Sequence, residues 1–99
     1  MDMTINGLCK EAHKTAIQKG WYDEQRETGT ILALVHSEVS EALEADRKGE
    51  SQKFQEELAD VCIRVFDLAG SKGIDLESII MAKMAYNKTR PYKHGGKLY

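Results

Sequence analysis

Proline occurs once, at position 91, and cysteine twice, at positions 9 and 62. A single late proline leaves the rest of the chain free to form helix. Cys9 and Cys62 are far apart, and each sits in an apolar helical pattern. They read as reduced core residues of a cytosolic protein, not as a disulfide or a metal knuckle. No stretch approaches the ~20 apolar residues that a bilayer span needs. The opening "MDMTINGLCK" has no basic flank followed by an apolar run, so the expected location is cytoplasmic, with no membrane partner. Excess charge of either sign is also missing. The formal net charge is -2, which argues against general nucleic-acid binding, although the C-terminal tail is locally basic. No run alternates apolar and polar residues with β-branched enrichment, so no strand is expected, and no repeat or low-complexity tract is present.

What is there is helix. The 99 residues, 41% of them hydrophobic, suit a single domain over 1–99 with a modest core. Glycines punctuate four periodic segments. The first runs roughly from Thr4 to Lys19, with Ile5, Leu8, Cys9, Ala12 and Ala16 on one face. A polar loop, "GWYDEQRETG", carries the sole tryptophan, Trp21. The second helix runs from about Thr30 to Lys48 and stops at Gly49. The third follows a Ser51 cap and runs to about Lys72, where Gly73 ends it. The fourth is capped by Asp75 and runs from Leu76 to about Arg90, where Pro91 forbids continuation. Residues 90–99 read as a flexible basic tail.

The second helix contains a contradiction. At about 100° per residue, Ile31, Val35, Ala42 and Ala45 form one apolar stripe, and Glu38 falls in its middle, with Glu41 at its edge. The third helix repeats this in milder form. Phe54, Leu58, Val61, Val65 and Leu68 make its stripe, Glu57 borders it, and Asp60 lies further round. Ile63 and Phe66 add a second apolar face, which calls for subunit association. On the fourth helix, Lys83, Asn87 and Arg90 continue the line of Leu76, Ile79 and Ile80, so acids on two helices and cations on a third are expected to point inward.

Each acidic pair is spaced to meet one cation from one helix face. An unpaired charge at the centre of an apolar stripe costs several kcal/mol (about 2–7 for a polar group alone), so neutralisation by a partner or a metal is expected. Four oxygen donors without thiolates suit a hard ion, Mg²⁺ or Mn²⁺. A di-iron bundle would need Glu-x-x-His on two helices, and none of His13, His36 and His94 follows a glutamate at that spacing. His13 and His36 carry no assigned role. Glu44, Asp46 and Glu56 read as a solvated face.

The segments "ALVHSEVSEALEADRKG", "FQEELADVCIRVFDLAGSKGIDLESI" and "KMAYNKTRPYKHGGK" resemble the MazG-like branch of the all-α nucleoside triphosphate pyrophosphatases, over roughly residues 20–97. Glu38, Glu41, Glu57 and Asp60 occupy that family's E-x-x-E and E-x-x-D pattern. The resemblance implies an all-α, four-helix bundle-like fold completed by oligomerisation as a homodimer or homotetramer. It implies Mg²⁺ on the four carboxylates, with Glu38 and Glu41 as catalytic candidates. The implied reaction is hydrolysis of the α–β bond of an NTP or dNTP to monophosphate and pyrophosphate. Lys83, Asn87, Arg90, Lys93, His94 and Lys97 would engage the polyphosphate, with the Gly95-Gly96 pair allowing closure. Trp21 would stack on the base, or else plug the core. Lys83 and Arg90 alternatively complement the helix dipole. Two other readings stand beside the enzyme. One is a catalytically silent nucleotide-binding or regulatory module. The other is a structural oligomer whose acids pair with Lys83 and Arg90.

Overall fold

The computed structural model describes residues 3–92. Four helices follow one another: α1 (Ile5–Gln18), α2 (Thr28–Arg47), α3 (Ser51–Ser71) and α4 (Leu76–Thr89). The described residues contain no strand. The fold is therefore all-α, as the periodicity predicts. α3 is the central helix and packs on both α1 and α2, whereas α4 touches the rest chiefly through α1.

Local chemistry sets the helix ends. The Thr4 side chain accepts from the Gly7 N–H (3.0 Å) and starts α1. α2 closes with Gly49 N–H bonded to the Asp46 carbonyl and Glu50 N–H to the Ala45 carbonyl, the paired bonds of a Schellman ending. That closure carries the chain round by Glu50, so α3 begins at Ser51 itself. Ser51 is thus the first helical residue and not the cap expected of it. Its Oγ accepts from Gln55 Nε2 instead. Asp75 does cap α4 through Ser78 N–H (3.1 Å). Asn6 of α1 ties on the same turn, donating from Nδ2 to Asp75 (2.8 Å) and accepting from Glu77 N–H (3.1 Å).

Small side chains make up the core: Cys9, Ala16, Ile31, Ala42, Ala45 and Ala69 are the buried apolar residues, and no large side chain is fully enclosed. This lets the helices approach closely. A Cβ on Gly70 of α3 would stand 2.5 Å from the Cys9 carbonyl oxygen and 2.9 Å from His13 Cβ, so only glycine fits the α1–α3 crossing. Two expectations need correction. Leu58, assigned to the α3 stripe, is 47% exposed, because the inward face of α3 is divided between α1 and α2 and leaves its flank open. Cys62 is exposed as well, so Cys9 alone is a core cysteine; both are free thiols. No helix among the described residues is long and apolar enough to cross a membrane.

Candidate functional site

Glu38 sits midway along α2, on the face that buries Ile31, Ala42 and Ala45. Glu57 and Asp60 come from the facing stretch of α3, one turn apart. One carboxylate oxygen from each of the three lies within 4.8 Å of the others. Glu57 Oε2 is buried and has no hydrogen-bond partner. The Glu57 carboxyl holds its proton above the usual carboxylate range. The chief cause is a hydrogen bond with Glu38, followed by desolvation and by repulsion from Glu38, Asp60 and Glu41. Arg64, one turn beyond Asp60, donates from Nε to Glu38 Oε1 at 3.0 Å, and both side chains are largely covered.

A cavity of about 490 Å³ opens beside these acids. Leu8, Ala12 and Ala16 of α1 and Ile63 and Phe66 of α3 give it apolar lining, Glu38, Asp60 and Arg64 border it from the acidic cluster, and Glu11, Thr15, Lys19 and Asp67 add further polar groups. Trp21 makes one wall. It reaches there because α1 ends in a left-handed turn at Gly20 (φ 84°), a conformation glycine adopts without strain, and Trp21 N–H then bonds back to the Ala16 carbonyl (3.0 Å). The indole is about half exposed and is not a core plug. The guanidinium of Arg64 lies 5.2 Å from the ring centroid and that of Arg26 5.4 Å, both within cation–π range. A shallower recess of about 330 Å³ lies between Trp21, Arg26, Leu34 and Arg64.

The Trp21 loop is fastened from below by Asp67 of α3, the most buried charged residue described, at 5% exposure. Tyr22 donates its hydroxyl to Oδ2 (3.0 Å), His13 Nδ1 lies 2.9 Å from Oδ1, and Arg26 Nη1 stands 3.8 Å from Oδ2. Burial, then the bond to Asp67, pushes the Tyr22 phenol up. His13 and Tyr22 also meet edge to face, with centroids 4.7 Å apart. Tertiary structure thus gives His13 a partner that the sequence does not suggest.

Of the residues singled out from the sequence, Glu38, Glu57 and Asp60 come together, and Trp21 joins them across the cavity. Glu41 is exposed; it is near enough to raise Glu57 but is not one of the three converging acids. Lys83, Asn87 and Arg90 do not point inward in the protomer. α4 has no buried residue, and Lys83 and Arg90 lie over Tyr86 of their own helix (5.5 and 5.9 Å). α4 leans on α1 and not on the α2–α3 pair that carries the acids, so its cations stay exposed. Lys93, His94 and Lys97 lie outside the described residues. The cations that do stand at the site are Arg64 and Lys19 on the cavity and Arg26 on the shallower recess, none of which the sequence pattern singles out. Their signal is nonetheless present: Arg64 and Asp67 interrupt the apolar run "CIRVFDLAG" as Glu38 interrupts its own stripe.

Residues 9–84 match the family described as phosphoribosyl-ATP pyrophosphohydrolase. The chain is also similar to the dATP/dGTP diphosphohydrolase of Cyanophage S-2L, with 36% identity over 69 residues, or 70% of this chain. The match spans 61% of that relative's length. No solved structure matches.

Proposed function

The chain belongs to the phosphoribosyl-ATP pyrophosphohydrolase family, and from that premise we propose that it is a Mg²⁺-dependent nucleoside triphosphate pyrophosphohydrolase. It cleaves the bond between the α- and β-phosphates and yields a nucleoside monophosphate and pyrophosphate. The main support is the convergence of Glu38, Glu57 and Asp60, with Glu57 Oε2 buried and unpartnered, beside a 490 Å³ cavity that Glu38 and Asp60 line. Carboxylates this close cannot all ionise without a counter-charge. Arg64 offsets one of them, which leaves room for a hard cation on oxygen donors, Mg²⁺ or Mn²⁺. When bound, such an ion polarises a phosphoryl oxygen and makes water more acidic.

The chain's own residues position the substrate and move the proton. Glu38, Glu57 and Asp60 hold the cation. Glu41 stands one helical turn from Glu38 at the solvent side of the cluster, and we assign it the proton of the attacking water. The cavity lies in the range of about 300–1,000 Å³ typical of small-molecule sites. We assign it the nucleoside, with the base against Trp21. The cyanophage relative is named for dATP and dGTP, so purine deoxynucleoside triphosphates are the substrates to try first. Lys83 and Arg90 of α4, with Lys93, His94 and Lys97, neutralise the polyphosphate, and Asn87 hydrogen-bonds to a phosphate or the sugar, in a homodimer or homotetramer whose packing covers α4. The two acidic pairs, with Asn87, Arg90 and the His94–Lys97 segment, favour the MazG-like branch. A cytoplasmic location fits a nucleotide substrate.

Incubation with Mg²⁺ and a panel of NTPs and dNTPs tests this reading. Pyrophosphate is expected, and Glu41→Gln and Glu57→Gln should each lower kcat/KM by about 100-fold or more, no less than the loss of an outer partner costs. Orthophosphate without pyrophosphate would overturn the assignment of the cleaved bond.

A further inference from the structure

We propose that Arg64 is a positioning residue that couples cation occupancy of the acidic cluster to the Trp21 wall of the cavity. The inference rests on the pyrophosphohydrolase reading for the identity of the cation and of the nucleotide. Its basis is that one guanidinium faces two ways. Arg64 Nε donates to Glu38 Oε1 at 3.0 Å, and the same group lies 5.2 Å from the Trp21 ring centroid. It also lines both the 490 Å³ cavity and the shallower recess.

A guanidinium cannot shed its charge by losing a proton, so a largely covered Arg64 is stabilised by an anion beside it. While the cluster is short of cations, Glu38 serves as that anion. A divalent cation held by Glu38, Glu57 and Asp60 changes both sides of the pair. It competes for the Glu38 oxygens, and its own charge repels Arg64 at close range. Arg64 then turns from Glu38 toward the cavity it already borders, where a polyphosphate offers it oxygens in bidentate geometry. The coupling is reciprocal, because a nucleotide that engages Arg64 frees Glu38 for the cation. Arg26, the other cation on Trp21, stands 3.8 Å from Asp67 Oδ2 with Nη1 buried and without a hydrogen-bond partner. Of the two, Arg64 is the one bonded to an acid of the cluster.

Trp21 is the sole tryptophan, so its emission reports this motion without any turnover. Full-length protein is titrated with Mg²⁺ alone, followed by fluorescence and by calorimetry. Wild type should show a saturable emission change with the calorimetric midpoint. Arg64→Met should bind Mg²⁺ about fivefold more tightly, the upper end of what an exposed ion pair is worth, with no saturable emission change. Arg64→Lys keeps the charge but not the fork, and should keep only part of the response; it also serves as the test if Arg64→Met fails to fold. With a non-hydrolysable nucleoside triphosphate, Mg²⁺ should raise nucleotide affinity in wild type and much less in either variant. Mg²⁺ binding with Trp21 silent, or an undiminished response in both variants, would overturn the coupling. If wild type still released pyrophosphate, the proposed activity would survive that result. Absence of Mg²⁺ binding would overturn both.

Discussion

With Oε2 buried and unpartnered and three further carboxylates around it, Glu57 keeps its proton to higher pH than a free glutamate does. A raised value in the folded state means that the metal-free fold is at full strength below the ordinary carboxylate range. It then loses stability as pH climbs through the raised value, where the fold must carry the extra charge. Melting curves in chelator from about pH 5 to about pH 8 should therefore show wild type falling relative to Glu57→Gln. Added Mg²⁺ should raise the wild-type Tm by mass action and leave Glu57→Gln unmoved. Parallel pH profiles for the two proteins would mean that Glu57 is not under this strain. Two glycines in helices give opposite expectations. Gly70→Ala drives a methyl into the Cys9 carbonyl at 2.5 Å and should cost about 1–3 kcal/mol in urea melts. Gly29, in the first turn of α2, has nothing within 4 Å of its added Cβ, and Gly29→Ala should gain a few tenths up to about 1 kcal/mol. Glu38 is legible in the sequence because a carboxylate in the middle of an apolar stripe violates the pattern. Arg64 violates its pattern as plainly, but the meaning of the violation lies in Glu38, 26 residues away on another helix. Periodicity ranks faces on one helix and says nothing of which faces meet.

At the scale of elements, the same limit separates what periodicity and capping recover from what they miss. Helix identity and ends follow from interactions within a few residues, and all four helices lie within about two residues of their expected bounds, the usual uncertainty of helix ends. The Ser51 cap fails because the closing bonds of α2 already use Glu50. The inward face expected of α4 fails for a longer-range reason: amphipathicity marks a face but not its neighbour, and α4 attaches through its first turn. That attachment is the clamp of Asn6, Asp75 and Ser78, whose donors hold the Asp75 carboxyl below the usual carboxylate range, the Asn6 bond first. A lowered value works in the opposite sense to Glu57. The clamp contributes above the ordinary carboxylate range and is lost as pH falls through the lowered value. Asn6→Ala should speed amide exchange across Leu76–Thr89 while leaving the α2–α3 amides as slow as in wild type. Uniform acceleration of all helices would show instead that α4 is bound into the common core.

At the scale of the whole molecule, shape and exposed apolar area bear on the proposed assembly. Its radius of gyration is 16.0 Å, with extents of 48 × 36 × 27 Å, whereas a compact domain of this length has about 13 Å. Leu32, Val39 and Leu43 on α2, Leu58 on α3, and Ile79, Met81 and Met84 on α4 are all 46–62% exposed. Buried apolar area contributes roughly 25 cal/mol per Å², and a core of four alanines, Cys9 and Ile31 leaves most of the available area unused. Covering those flanks with copies of the same chain recovers it and encloses α4, whose cations have no role inside one subunit. Sedimentation should therefore give a mass that is a multiple of 11.2 kDa, and Tm should rise with protein concentration, as it does when folding and assembly are linked. Leu58→Glu, which places a charge on the open flank of α3, should shift the protein toward smaller, less stable species. A single 11.2 kDa species with a concentration-independent Tm would show that these apolar flanks tolerate water, and the α4 cations would then need another route to the phosphates.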